Sequence, residues 1–167
     1  MIEDERAAVE RQIGRPPRAL RRVVVRCPFG QPAVTLQSPY DCDGRPFPTT
    51  YYLTCRHLVA AVSRLEAAAG VERWTEAART DLELRASLER ATARQRALRR
   101  ELAAADGADL DDPSLGLGIG GAAKPERLKC LHAHVAFALA EPGYELGDTI
   151  LDEVGPLWPD RCCATGE

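Results

Sequence analysis

Three observations predict an α+β domain. A β-branched triplet and two further extended segments lie between residues 22 and 54, clusters of turn residues separate them, and from residue 56 onward apolar residues recur at helical spacing. The expected architecture is a small antiparallel sheet over residues 22–54, packed against an α-hairpin and C-terminal helices. Residues 1–158 should form this single domain, with 159–167 as a flexible tail.

Residues 2–13 read as a helix, with Val9 and Ile13 four apart and Gly14, Pro16 and Pro17 ending it. Arg15, Arg18, Arg21, Arg22 and Arg26 follow without an intervening acid. Val23, Val24 and Val25 start the sheet, and the turn-rich run from Cys27 to Pro32 leads to a second strand at 33–36. After a turn at 41–44, residues 46–54 form a further strand whose prolines confine its beginning to an edge, and Cys55 closes it.

Leu58, Val62, Leu65 and Ala69 then mark a helix that Gly70 stops. A longer helix over 72–104 carries a seam of Leu84, Leu88, Ala91, Gln95, Leu98 and Leu102. The two helices should pack as an antiparallel hairpin. The other use of the seam is a partner-binding coiled coil, but its few heptads suit an internal pair better. Residues 106–123 form a long irregular loop. A helix starting at Pro125 should pass through Cys130, His132 and His134 to Pro142, and a short one should cover 146–154.

Composition narrows the function. The 167 residues carry 22 Lys+Arg against 25 Asp+Glu, a formal charge of −3, with 45% hydrophobic and 5% aromatic residues. A core in a chain of this size buries roughly 70% of the unfolded surface, so neither metal nor disulfide is needed merely to fold it. The near-neutral balance and few aromatics argue against nucleic acid as a partner. No secretory leader and no run of ~18 apolar residues is present, so no membrane insertion is expected and the location should be cytoplasmic. Six cysteines in a reducing compartment then point to metal binding, thiol chemistry or plain burial. A protein partner is compatible with the seam; the oligomeric state is open.

The strongest candidate constellation is a metal set of Cys27, Cys55, Cys130 and His134. The first two end strands, where separate elements can converge. On a helix Cys130 and His134 are four apart and share a face, as two ligands from one helix do. Three sulfurs and a nitrogen would suit zinc; an iron–sulfur cluster fits less well. His132 falls roughly 200° around that helix from Cys130, outside the set unless the helix starts late. With Arg127 and Lys129 it is a candidate for a supporting or anion-binding role. A thiol enzyme would instead pair Cys55 with His57, or Cys130 with His134. Gly116 to Gly121 fits G-x-G-x-x-G, but Asp111, Asp112, Pro113 and Ser114 precede it rather than a buried strand, so no nucleotide cofactor is expected.

The ordered motifs Gly14-Arg15-Pro16-Pro17-Arg18, Cys27-Pro28-Phe29-Gly30-Gln31-Pro32, residues 46–55 and the Arg127-to-His134 segment together resemble the bacterial domain-of-unknown-function 501 family, chiefly actinobacterial. The resemblance covers residues from about 5 to 155. It implies no particular activity, but it places Cys27, Cys55, Cys130 and the two histidines of the last motif inside family motifs, with Cys42, Cys162 and Cys163 outside. The leading functional expectation is a cytoplasmic accessory or regulatory protein with a structural zinc or thiol-cluster site. The alternatives are a thiol- or metal-dependent hydrolase acting on a phosphorylated or nucleotide substrate, and a protein-interaction module using the 72–104 helix.

Overall fold

The computed structural model describes residues 2–163. Its elements are α1 (Ile2–Ile13), β1 (Leu20–Arg26), β2 (Pro32–Gln37), β3 (Tyr51–Leu53), α2 (Arg56–Ala67), α3 (Gly70–Thr80), α4 (Leu82–Ala105), two short 3-10 turns (Pro113–Gly116 and Ile119–Gly121), α5 (Leu131–Ala140) and α6 (Glu145–Val154). The fold is α+β, as the periodicities predict. The three strands form an antiparallel sheet in the order β1-β2-β3, with Val23 opposite Thr35 and Val34 opposite Leu53. β3 is shorter than the apolar run suggested, because Pro46 and Pro48 confine the segment before it to a single bridge, Tyr40 to Pro46.

All six residues of β2 are buried, so both its faces are covered. α1 packs on β1 and β2, and α5 packs chiefly on β3, α6 and α2. α5 is predominantly apolar and buried on most of its circumference, with Leu131, Val135, Ala136 and Phe137 in the core, which marks it as the central helix. Phe137 meets Tyr51 and Tyr144 edge-to-face at 5.5 and 5.4 Å.

The long 72–104 helix is broken in two. Asp81 takes extended dihedrals and its carboxylate accepts the Glu83 and Leu84 backbone N–H groups, capping α4. Three helices therefore stand where a hairpin of two was expected; α4 packs mainly on α3, α6 and the 3-10 turns. The left-handed residue after α2 is Ala69, at φ 59°, not Gly70. Gly70 instead opens α3, where a Cβ would meet the Leu65 carbonyl oxygen at 2.5 Å and Leu131 Cδ1 at 2.9 Å. On α4, Leu88 and Leu98 are buried, and Leu84 and Leu102 are partly buried against the core. The seam is thus spent inside the chain, and the exposed stripe that an interaction module needs is missing from it.

The glycine-rich segment is not a loose loop. It folds into the two 3-10 turns, with Leu115 and Ile119 buried, and Gly121 (φ 80°) lies so close to Pro48 that a Cβ would come within 2.5 Å of it. Of the expected tail, Cys163 rests against the core, and residues 164–167 lie outside the described residues. No helix among the described residues is long and apolar enough to cross a membrane.

Candidate metal centre

α5 begins six residues later than Pro125 would start it. Leu128 is buried and its backbone N–H donates to Thr75 Oγ1 on α3 at 3.2 Å, so the chain is held off a helical path there. Cys130 follows in an extended conformation (φ −156°, ψ 122°) as the N-cap residue. It offers no side-chain cap; the Glu66 carboxylate, reaching from the end of α2, accepts the Leu131 N–H at 2.7 Å in its place.

This late start re-sorts the ligands. Cys130 is outside the helix, so the i, i+4 relation to His134 does not exist. The sulfur instead lies 3.7 Å from Nδ1 of His132. Glu66 Oε1 lies 3.2 Å from the same nitrogen. Cys130 Sγ, His132 Nδ1 and Glu66 Oε1 all fall within 4.8 Å of one another, and among the described residues they are the one group of three or more such donors that does so. The expected set of Cys27, Cys55, Cys130 and His134 is not brought together.

Each of the others has a different surrounding. Cys27 is buried at the β1–β2 turn, where its backbone bonds to Gln31 and Gly30. Cys55 is the N-cap of α2, buried, with its sulfur 3.7 Å from that of Cys163. Burial, reinforced by the Cys163 thiol, pushes its pKa up to about 11. His57 Nε2 donates to the Pro156 carbonyl at 3.0 Å, while the side-chain partner of Cys55 is Cys163 rather than His57. Native protein treated with iodoacetamide near pH 8 should therefore be labelled at exposed Cys42, while Cys55 reacts roughly 100-fold more slowly than an ordinary thiol. Peptide mass spectrometry reads the difference, and equal labelling of the two would contradict the buried N-cap placement.

His134 is 1% exposed, and its Nδ1 lies 2.7 Å from the Tyr144 hydroxyl in the core. Its Nε2 is buried with no hydrogen-bond partner among the described residues. Burial alone drives its pKa down to about 3. It is a neutral core histidine.

His132 has the opposite electrostatics. Burial pulls its pKa down, but the Cys130 sulfur, the Glu66 carboxylate and the Val59 carbonyl outweigh it and push it up to about 9. Nε2 lies 3.2 Å from the Val59 carbonyl and 3.2 Å from Ser63 Oγ. A carbonyl only accepts, so Nε2 carries a proton, which leaves Nδ1 as the nitrogen that either a proton or a metal occupies. A backbone carbonyl fixing the distal N–H is the usual support of a metal-bound imidazole. A catalytic triad, by contrast, uses both ring nitrogens, one for the nucleophile and one for the acid. Here thiol and carboxylate approach the same nitrogen, so the set matches ligands better than a relay.

Cys130 and His132 line a cleft of about 400 Å3 shared with Tyr51, Tyr52, Thr54 and Arg56. Thr54 is 1% exposed, and its hydroxyl has no hydrogen-bond partner among the described residues. Arg56 also donates to the Arg11 and Gln12 carbonyls, at 2.5 and 3.4 Å, closing the end of α1. Arg127 lines a separate cavity and Lys129 is exposed, so neither supports this site. Glu66 left no trace in the sequence spacing, since it lies 64 residues before Cys130 and reads as one more charge on a helix surface.

No curated protein and no solved structure matches the chain. A family model described as "Protein of unknown function (DUF501)" matches residues 23–152. The match spans most of the sequence, including every ligand of the candidate centre, and the chain belongs to that family.

Proposed function

We propose that the protein is a metal-dependent enzyme of the hydrolytic class, holding one divalent transition ion through Cys130, His132 and Glu66. The observation that carries this reading is the convergence of a sulfur, an imidazole nitrogen and a carboxylate oxygen within 4.8 Å, two of the three residues lining a cleft. Sulfur with nitrogen selects a borderline ion of the zinc type rather than calcium or magnesium. Three protein ligands leave a coordination position over, the pattern of catalytic rather than structural zinc. An ion held there would polarise a substrate bond and lower the pKa of a bound water. The chain supplies the rest: Val59 orients His132, the Leu131 N–H orients Glu66, and Thr54, Tyr51 and Tyr52 offer hydrogen-bonding and apolar surface to a small substrate in the cleft. The site ties α2 to the start of α5, but Glu66 and the α5 N-terminus already bond without an ion, so its role exceeds stapling.

Titration with cobalt(II) tests the reading. One equivalent should bind, with a near-ultraviolet sulfur-to-cobalt charge-transfer band that vanishes in Cys130→Ser, and affinity should fall at least roughly 100-fold in His132→Ala. Azide should perturb the visible spectrum by entering the free position. Because protons compete for both Nδ1 and the thiolate, apparent affinity should weaken as pH falls. A charge-transfer band that survives Cys130→Ser but is lost in Cys27→Ser or Cys55→Ser would overturn the ligand set, and a spectrum indifferent to azide would overturn the catalytic assignment.

A further inference from the structure

A second cavity, of about 750 Å3, lies between α3, α4 and residues 124–127, and shares no lining residue with the cleft at Cys130. Its lining is charged in one sense. Arg79, Arg85, Arg96, Lys124 and Arg127 face two acids, Glu89 and Glu126, a surplus of three positive charges in a chain whose net charge is −3. Several of these cations are already fixed in place. Arg79 pairs with Glu76 at 2.6 Å, Arg85 donates to the Arg79 carbonyl, and Arg96 Nε donates to the Gly116 carbonyl at 2.8 Å, which leaves its terminal amino groups available. Lys124 and Arg127 form no ion pair among the described residues.

The floor is apolar and preformed by Ala78 and Leu88, both buried. Thr92 stands with them, 4% exposed, and its hydroxyl has no hydrogen-bond partner among the described residues. A buried, unsatisfied hydroxyl costs stability unless something binds it, and a surplus of cations over acids is self-repelling. Both costs are relieved by an anionic ligand with an organic body. The volume lies within the ordinary range for small-molecule sites.

We infer that this cavity binds an organic phosphate of about nucleotide size, with its phosphates on Lys124, Arg127 and Arg96 and its organic part on Ala78 and Leu88 within reach of Thr92. Arginine forks suit phosphate oxygens, and the apolar floor separates an organic phosphate from a bare ion. The inference is independent of the metal reading, since the two sites share no residue.

Calorimetric titration with ADP, pyrophosphate, adenosine and a single-stranded RNA oligonucleotide tests it, on wild-type protein and on Cys130→Ser. ADP should bind one to one and more tightly than pyrophosphate or adenosine, equally in both proteins. The double variant Lys124→Gln/Arg127→Gln alters exposed side chains and should fold normally, yet weaken ADP at least roughly 10-fold. Thr92→Val should weaken ADP several-fold while leaving the melting temperature within a few degrees of wild type. Undetectable ADP binding at millimolar concentration, or ADP affinity unchanged in the double variant, would overturn the site. Tighter binding of pyrophosphate than of ADP would overturn the organic part, and tighter binding of RNA would make the face a nucleic-acid surface instead.

Discussion

Arg99→Ala should cost about 3–5 kcal/mol of unfolding free energy, the sum expected when several neutral acceptors lose one shared donor. Arg99 sits on α4, is 1% exposed, and has no carboxylate within ion-pair distance among the described residues. Neutral acceptors hold it instead. Nη1 lies 2.9 Å from the Phe47 carbonyl, 3.4 Å from that of Pro48 and 3.4 Å from Thr50 Oγ1, and Nη2 donates to the Ser114 carbonyl at 3.3 Å. Its removal strands several buried oxygens at once, each worth about 1–3 kcal/mol of lost solvation when left alone. The side chain ties α4 to the segment that enters β3, and Tyr51, Tyr52 and Leu53 of β3 line the cleft. For a domain of this size the melting temperature should drop by roughly 10 °C. Arg99→Lys should recover little, because one ammonium cannot reach acceptors spread over both sides of a planar fork. Calorimetry of the three proteins checks this, and a loss under about 2 °C for Arg99→Ala would show that the network contributes nothing.

His134 should make the fold acid-sensitive. Its folded pKa, about 3, lies below the ordinary 6.5 because the ring is fully buried, with only the Tyr144 hydroxyl within hydrogen-bond distance. Between those values the unfolded chain binds a proton that the folded chain refuses. Stability is therefore complete above about pH 6.5 and falls as pH drops toward 3, by up to about 1.4 kcal/mol per pH unit. His132 acts in the other direction: raised to about 9, its contribution is complete below 6.5 and is lost as pH rises through 9. The two histidines therefore limit stability at opposite ends of the pH scale. Urea unfolding between about pH 5 and 6.5, above most carboxylate titration, isolates the first effect. His134→Gln, which retains a hydrogen-bonding group for Tyr144 without titrating, should flatten that limb; an unchanged slope would refute the assignment.

Periodicity and turn residues read the fold well wherever glycines and prolines bracket a segment. α1 matched its predicted bounds, and α6 and the first two strands came within a few residues of theirs. The α4 seam named Leu88, Ala91, Gln95 and Leu98, all buried. Arg99 escaped, because a charge beside a seam reads as solvated and only a distant loop decides otherwise. The break at Asp81 did have a local signal, an aspartate just before Glu83 and Leu84, masked by the continuous helical pattern on either side. Pro125 misled in the opposite sense: it suits a first helical turn, but burial of Leu128 against α3 overrides that preference. That shift of six residues places His132, rather than His134, beside Cys130. The Cys130-to-His134 segment was legible as a candidate, but the pairing inside it depended on where one helix begins, and the approach of Glu66 depended on α2 folding back onto that same point.

The central position of α5 has a consequence for synthesis. The helix that covers β3 and packs on α2 and α6 is made of residues 131–140, after all three strands and four other helices. An N-terminal fragment ending before Leu131 contains every strand but lacks the surface on which β3 and α2 are buried. During synthesis that surface is made only after residue 130, so fragments lacking it should be prone to aggregation. The packing that covers β3 is also what places His132 beside Glu66, so the cleft and the cover of the sheet depend on the same helix.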